Sequence, residues 1–184
     1  MTVTIALLSL SVGPWTAVAR ANIATVENDV LRIDNSGQSE SNQFASAHRQ
    51  LKFSNGGPWQ VSYIFKYGVL RPGGVSITLR RDARESVWIG ADAYYGAMTL
   101  FRGTEQLWSR KADSEWHSML IWSNTSITRI YLDGILISTV NGSPMPNSLT
   151  VETRSSNVGK QSELTVANVR AFNSGQPNFQ LFGE

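Results

Sequence analysis

The sequence predicts an all-β protein built as an antiparallel two-sheet sandwich. Apolar residues recur at every second position along most of the chain, which is the pattern of half-buried strands. No stretch keeps the i, i+3, i+4, i+7 spacing of a long amphipathic helix. Turn sequences such as NSGQ at 35, RPGG at 71 and NGSPMP at 141 divide the chain at short intervals, and this spacing is typical of two packed sheets.

The alternation is clearest in three strands, VSITLRR, QVSYIFKY and SLTVETR. In each one, the apolar residues fall on one face and most of the polar residues on the other, so one face is expected in the core and one in water. The predicted core residues of these strands are Val75, Ile77 and Leu79; Val61, Tyr63, Phe65 and Tyr67; and Leu149 and Val151.

A tight hairpin is predicted around Asp133 and Gly134. This pair favours a type I′ turn, because both central residues of that turn need positive φ. The turn places Leu132 opposite Ile135, and a regular ladder would place Ile130 opposite Ile137, so these four side chains are expected to form one inward-facing apolar patch. The other face is a mixed surface that is covered, wet or used for binding, and it carries Arg129, Tyr131, Leu136 and Ser138.

The chain is expected to form one domain, because 184 residues fit a single hydrophobic core. We assign residues 1–174 to a single β-sandwich and residues 175–184 to a C-terminal tail, whose Phe179, Leu181 and Phe182 indicate that it docks on another surface. Residues 1–21 are either a first strand or a signal-like segment, and the absence of Lys or Arg before Arg20 favours the strand. No apolar run approaches the roughly 20 residues of a membrane-spanning helix.

The composition of the chain narrows the range of possible functions. The formal net charge is +2, and no basic stripe of the kind that binds a phosphate backbone is present, so nucleic acid is not an expected partner. The chain has no cysteine, which leaves out disulfides, thiolate metal sites and a Cys nucleophile. Charged residues make up only 16% of the chain, which suits a sheet sandwich rich in Ser, Thr, Asn and Gly.

The hairpin region resembles a known group of domains. The order Trp-His, apolar strand, polar turn, then Tyr-Leu-Asp-Gly and another apolar strand is similar to the WHHVA…LYVDGVLV pattern of the laminin G and concanavalin A-like jelly-roll domains. Residues 26–34 and 163–175 resemble the early and closing strands of that group, so the likeness extends from about Trp15 to Phe172. The hairpin residues that match are Trp116, His117, Tyr131, Leu132, Asp133 and Gly134.

This resemblance implies two curved antiparallel sheets in a jelly roll, with ligands held on the concave face or at the rim loops. It also implies a calcium site, since domains of this group often bind Ca²⁺ through an Asp and loop carbonyls. Asp92, in GADAYYGA, is the candidate ligand, but an ordinary turn Asp is the favoured interpretation. No other cofactor is expected.

No catalytic constellation stands out. A retaining glycosidase needs paired carboxylates, but Glu27 with Asp29 and Asp113 with Glu115 lie beside turn signals and are interpreted as solvated turn carboxylates. His117 fits a partly buried strand histidine better than a catalytic one. The chain is therefore predicted not to be an enzyme, although His48 beside an arginine leaves a lyase-type site open.

Aromatic residues mark the predicted ligand surface. Tyr94 and Tyr95 are adjacent in a loop between glycines, so at least one is expected to be exposed, where sugars or a protein partner could stack on it. Trp108 lies in a strand-like segment in which core packing is the first interpretation and ligand contact the second. The predicted ligand-binding set is Asp92, Tyr94, Tyr95, Trp108, Arg129 and Tyr131.

Two functions follow from these features. The first is a non-enzymatic binding or structural module on the surface of a larger assembly, such as a phage virion decoration, fibre or tail protein with glycan binding. Its protein neighbours would be reached through the N-terminal strand and the C-terminal tail, on a virion or an extracellular surface. The second is a secreted lectin-like domain, or a glycoside hydrolase or lyase, of the same fold.

Overall fold

The structure is a computed structural model, and it describes residues 9–12, 15–19, 23–34, 43–70, 74–81, 86–92, 96–124, 126–142, 144–155 and 162–180. All fifteen elements assigned within these ranges are β-strands. They are β1 Ser9–Val12, β2 Trp15–Ala19, β3 Ile23–Glu27, β4 Val30–Asp34, β5 Gln43–Gln50, β6 Trp59–Leu70, β7 Val75–Arg80, β8 Ser86–Asp92, β9 Ala97–Arg102, β10 Glu105–Lys111, β11 Trp116–Ser123, β12 Ile127–Leu132, β13 Ile135–Asn141, β14 Ser148–Ser155 and β15 Ser162–Asn173.

The strands form two antiparallel sheets, which confirms the predicted two-sheet class. The eight-stranded sheet has the order β1-β2-β5-β14-β7-β8-β9-β10, and the seven-stranded sheet has the order β13-β12-β11-β6-β15-β4-β3. Strands close in sequence mostly pair as hairpins, whereas β5, β14, β6 and β15 are brought together from distant parts of the chain. These long-range pairs form the middle of each sheet.

The main core lies between the two sheets. Every core residue predicted for β6, β7 and β14 is buried, with 3% exposure or less. Phe65 packs edge-to-face on Tyr67, with ring centroids 5.4 Å apart. Burial raises the pKa of both Tyr63 and Tyr67 above the ordinary tyrosine value, so these phenols stay protonated at neutral pH.

The predicted hairpin is present, with one correction. Asp133 and Gly134 have φ of 52° and 76°, as a type I′ turn requires. Leu132 pairs with Ile135, but a register shift beyond Ile130 pairs that residue with Ser138 rather than Ile137. The predicted four-residue inward patch is therefore wrong in part, because Ile135 at the turn is 69% exposed.

A second irregularity changes the faces of β15. The register with β6 shifts between Ala167 and Arg170, and Asn168 has a φ of 52°. Before this bulge Val166 faces the core, and after it Val169 does, so the inward positions change from even to odd numbers. The bulge lets a twelve-residue strand keep apolar groups inward along its whole length.

The described residues near the N-terminus also belong to this architecture. The described parts of segment 1–21 include strands β1 and β2, and β2 pairs with β5 in the eight-stranded sheet. Whether the segment is processed remains untested. In the described residues, no helix is long and apolar enough to cross a bilayer.

Ser174 and the described part of the C-terminal tail, residues 175–180, lie on the outer face of the seven-stranded sheet. The indole nitrogen of Trp122 donates to the carbonyl of Ser174 at 2.7 Å, and Phe179 packs edge-to-face on Tyr131 at 4.9 Å. The buried amide of Gln60 pairs with both backbone groups of Asn178, at 2.8 and 2.9 Å. These contacts cover a second apolar cluster, formed by Leu120, Trp122 and Tyr131 with Ile127 beside it.

Candidate functional site

A cleft of about 700 Å³ opens at one end of the sandwich. It lies where β5, β7 and β11 end and where β6, β12 and β14 begin, so both sheets contribute loops to it. Cavities of about 300–1,000 Å³ are typical of small-ligand sites. We call this cavity the rim cleft, and its lining residues are Leu51, Phe53, Gly56, Gly57, Trp59, Arg81, Asn124, Gly142, Pro144, Met145, Pro146 and Asn147.

One wall is the loop 51–58 between β5 and β6, and the side chain of Asn173 holds it in place. The Asn173 Oδ1 accepts hydrogen bonds from the backbone N–H of Ser54 and Asn55, at 2.9 and 3.1 Å, and from the Ser54 hydroxyl. Its Nδ2 donates to the carbonyls of Asn55 and Pro58. A single amide thereby satisfies five contacts of an otherwise irregular loop, which gives this wall a defined shape.

The opposite wall is the connection 142–147 between β13 and β14, and Asn147 anchors it. The backbone N–H of Asn147 donates to the Arg80 carbonyl at 2.9 Å, and its carbonyl accepts from the N–H of Leu51 at 2.8 Å. The Asn147 side-chain amide donates to the Arg81 carbonyl at 2.9 Å. Since both walls are tied to strand ends, the rim cleft is formed before any ligand arrives.

The floor of the rim cleft is aromatic. Trp59 is 4% exposed and supports the half-buried Phe53 in an edge-to-face contact at 6.3 Å. The amides of Asn124 and Asn147 and the backbone of three glycines add polar groups around this floor. An apolar ring surface surrounded by amides can bind a ligand with one apolar face and several hydroxyl or amide groups.

The lining of the rim cleft is suited to binding rather than to acid–base chemistry. Among the twelve described residues that line it, none is an Asp, Glu, His, Tyr, Lys, Ser or Cys. Such residues would be needed as a nucleophile or as a general acid or base. Arg81 is the charged residue in this set.

Comparison with solved structures identifies the architecture. A sialidase superposes with a TM-score of 0.62 at 13% identity over 88% of this chain, which spans only 17% of the sialidase. The exoplasmic/lumenal domain of VIP36 in its Ca²⁺/Man-bound form has a TM-score of 0.61 at 10% identity, covering 92% of this chain and 86% of that one. Alginate lyase AlgAT5 from Polysaccharide Lyase family 7 has a TM-score of 0.58 at 13% identity, covering 80% and 81%.

The chain has a concanavalin A-like jelly-roll fold. This confirms the resemblance predicted from the hairpin region. No family model and no curated protein sequence matches the chain. At identities of 10–13% these likenesses establish the jelly roll alone, and enzymes and non-enzymes share it.

Two of the predicted ligand residues, Tyr94 and Tyr95, lie outside the described residues. Asp92 closes β8, and its side chain also lies outside them. Ser86 at the start of β8 pairs with Arg80 beside the rim cleft, so Asp92 is at the opposite end of this jelly roll. Among the described side chains, no three His, Cys, Asp or Glu residues form a metal-binding group. Calcium at Asp92 remains a prediction.

The other predicted ligand residues lie on different sheets. Trp108 is on β10 of the eight-stranded sheet, partly buried against the core. Arg129 lies 5.8 Å over the ring of Trp122 on the outer face of the seven-stranded sheet, and Tyr131 on the same strand is covered by Phe179. The jelly roll thus brings Arg129 and Tyr131 to one face but places neither beside the rim cleft, and their ligand role remains untested.

His117 lies in a charged cluster that sequence reasoning missed. Its ring is 6% exposed, and a carboxylate oxygen lies 2.8 Å from each ring nitrogen, Asp133 at Nδ1 and Asp113 at Nε2. Arg110 Nη2 is 3.0 Å from Nδ1. The other oxygen of Asp133 accepts the N–H of Ser118 at 2.9 Å. The cluster therefore fastens the β12–β13 turn to β11, which is a structural role for a buried imidazole.

Asp113 makes this cluster sensitive to acid. The N–H of Glu115, and then His117, donate to its carboxylate and lower the pKa of Asp113 below its ordinary value. The contribution of Asp113 is thus present above about pH 4 and is lost as the pH falls through the lowered pKa. We expect Asp113→Asn to be less stable than wild type by under about 1 kcal/mol at pH 6, because the group is 46% exposed.

Urea unfolding at pH 6, 4 and 2.5 tests this expectation. The difference between wild type and Asp113→Asn should shrink as the pH falls, since Asn keeps an oxygen for the Glu115 N–H at every pH. A difference of constant size across this range would contradict the assigned role of the carboxylate.

A second polar surface lies on the outer face of the eight-stranded sheet. Thr150 pairs with His48 on one side and Thr78 on the other. Thr78 and Thr150 are 4% and 9% exposed although they point away from the core. The Arg80–Glu152 ion pair, at 3.9 Å, spans their row. His48, which kept a lyase-type site open in the sequence analysis, belongs to this row.

Proposed function

We propose that this jelly roll is a non-enzymatic glycan-binding module and that the rim cleft is its binding site. The observation that carries the proposal is the half-buried Phe53 ring, backed by Trp59 and surrounded by the amides of Asn124 and Asn147. Sugars present flat C–H faces that pack on aromatic rings and hydroxyls that pair with amides. The preformed walls also favour binding, since their loops lose little conformational freedom when a ligand binds.

The compared structures support this proposal through what they are named for. One is a mannose-bound lumenal domain, one is a sialidase and one is an alginate lyase. All three names concern carbohydrates. Two of the structures are enzymes, and the third is a domain with a bound sugar. We choose binding over cleavage because the described lining of the rim cleft supplies no general acid or base.

A glycan array followed by calorimetry tests the site. We expect Phe53→Ala to weaken the binding of any glycan identified on the array by at least about tenfold, or about 1.4 kcal/mol, because the stacking surface is lost. Trp116→Ala is the matched control, since Trp116 is a 49% exposed aromatic residue at the start of β11, away from the rim cleft. The affinity of the Trp116→Ala variant for the same glycan should equal that of wild type.

Three outcomes would count against the proposal. One is the absence of saturable binding to every glycan on the array. Another is glycan binding that Phe53→Ala leaves unchanged. This result would place the binding site elsewhere, for example at the predicted ligand residues Tyr94 and Tyr95. The third is the release of shortened products from a polysaccharide, which would make the chain an enzyme and direct attention to His48 and Arg80.

The role on a virion or other extracellular surface remains a prediction from the sequence. None of the three compared structures is named as a virion protein. The described part of the tail packs on its own seven-stranded sheet through Gln60 and Tyr131. Docking that tail onto a neighbouring protein would therefore first have to release these contacts.

A further inference from the structure

The rim cleft has an unbalanced charge. Of its twelve described lining residues, Arg81 alone is charged. The chain segments that form its two walls, 50–60 and 141–149, contain no Asp or Glu, whereas the first of them adds the exposed Lys52. The fixed charges on the described lining residues and on these two wall segments are therefore positive, although the chain as a whole is almost balanced at a formal +2.

Arg81 is also held differently from four other arginines of the chain. Arg32, Arg49, Arg80 and Arg110 each lie within 4 Å of at least one carboxylate. Arg81 takes part in no ion pair among the described residues, and its side chain is exposed at the rim cleft. Its backbone is nevertheless fixed, because its carbonyl accepts the side-chain amide of Asn147 at 2.9 Å. An anchored residue with an available guanidinium is suited to recognising an anion.

We propose that the rim cleft selects glycans that carry a carboxylate, such as uronic acid or sialic acid units, and that Arg81 is the residue that binds this carboxylate. This inference rests on the proposed glycan-binding function. A guanidinium donates two parallel hydrogen bonds to a carboxylate, and such charge-assisted pairs are stronger than neutral ones. Phe53, across the same cleft, packs on the sugar ring, so the charge decides which sugars bind rather than whether sugars bind.

The test uses a matched pair of ligands, an oligouronate and the same oligosaccharide after chemical reduction of its carboxyl groups, titrated into the full chain by calorimetry. We expect the oligouronate to bind at least about tenfold tighter than its neutral counterpart. Raising the salt from about 0.05 to about 0.3 M should weaken only the charged ligand, because the ion pair is screened. A sialyl-oligosaccharide and its asialo form provide a second pair, and a preference in either pair supports the inference.

The variant Arg81→Gln tests whether Arg81 is the residue that binds the carboxylate. This variant should bind the oligouronate and the reduced ligand about equally, with the affinity for the reduced ligand unchanged from wild type. Arg170→Gln is the matched control, because Arg170 is an exposed residue of β15 outside the lining set of the rim cleft and should leave the preference intact. A preference that survives in Arg81→Gln would overturn the assignment.

Further outcomes separate this inference from the proposed function. Equal binding of charged and neutral ligands by wild type would keep the glycan site and overturn the selectivity. Tighter binding of a sulfated than of a carboxylated oligosaccharide would also overturn it. Binding of neither ligand pair, together with an empty glycan array, would remove the proposed function itself.

Discussion

Removing residues 175–184 is expected to lower the free energy of unfolding by about 3 kcal/mol while leaving the jelly roll folded. The deletion takes Phe179 off Tyr131, which is 9% exposed beneath it, and removes both hydrogen-bond partners of the buried Gln60 amide. Each largely buried aromatic side chain contributes about 1.5–3 kcal/mol, and part of this surface stays covered by neighbouring side chains. For a chain of this size, the melting temperature should fall by about 6–12 °C.

A double-mutant cycle shows whether the tail acts through the contacts described. Gln60→Leu should destabilise the full chain, because both backbone groups of Asn178 lose their partners. In the truncated chain, the same substitution should change stability by less than about 0.5 kcal/mol, since those partners are gone. Leu136→Ala is the control for the same face, and its 49% exposed side chain should matter little in either background.

Two results would contradict this account of the tail. One is a truncated chain as stable as wild type, and the other is an equal effect of Gln60→Leu in both backgrounds.

Asp133→Ala is expected to cost about 3–4 kcal/mol. The substitution removes the acceptors of the Ser118 N–H and of the buried His117, and an unsatisfied buried group costs about 1–3 kcal/mol. It also places alanine at a φ of 52°, where a Cβ-bearing residue other than Asn or Asp pays about 1–2 kcal/mol. Urea unfolding followed by tryptophan fluorescence measures the loss.

Two further variants at this position separate the two causes. Asp133→Gly accepts the positive φ but lacks the side chain, so its cost should come from the lost hydrogen bonds and from the greater freedom of glycine in the unfolded chain. Asp133→Asn keeps the φ tolerance and an oxygen for Ser118, so it should be the mildest of the three. An Asp133→Ala protein within about 0.5 kcal/mol of wild type, or a reversed order of the Gly and Asn variants, would show that the cluster does not hold the turn.

The fold class could be predicted because alternation is a local signal. In β7, Val75, Ile77 and Leu79 must face the same side of a strand whatever the rest of the chain does, and they are buried as expected. The Asp133–Gly134 turn is equally local, because positive φ at both positions is a property of these residue types. The pairing order of distant strands such as β6 and β15 is not local and came only from the structure.

The bulges mark the limit of that reasoning. Counting outward from the turn placed Ile130 opposite Ile137, and one extra residue in β13 displaced the pair by one position. Asn168 changes the inward face of β15 in the same way. A bulge is favoured by packing against neighbouring strands, so a strand sequence examined by itself carries little trace of it.

The rim cleft was not predicted, because its parts lie far apart in sequence. Phe53 and Asn147 are separated by about half of the chain and meet only through the pairing of β14 with β5 and β7. The available signal was modest: Trp59 follows an NGGP turn and could be assigned to the core or to the rim. The adjacent tyrosines Tyr94 and Tyr95 were predicted as ligand residues instead, and they lie outside the described residues.

Asn173 has a thermodynamic consequence for recognition. Its amide fixes the loop that carries Phe53 through contacts to Ser54, Asn55 and Pro58, all formed in the ligand-free chain. A glycan that enters the rim cleft therefore has little loop motion to quench, and its own flexibility, rather than that of the protein, sets most of the entropic penalty of association. Stiff, short oligosaccharides should accordingly lose less affinity to entropy than long, supple ones.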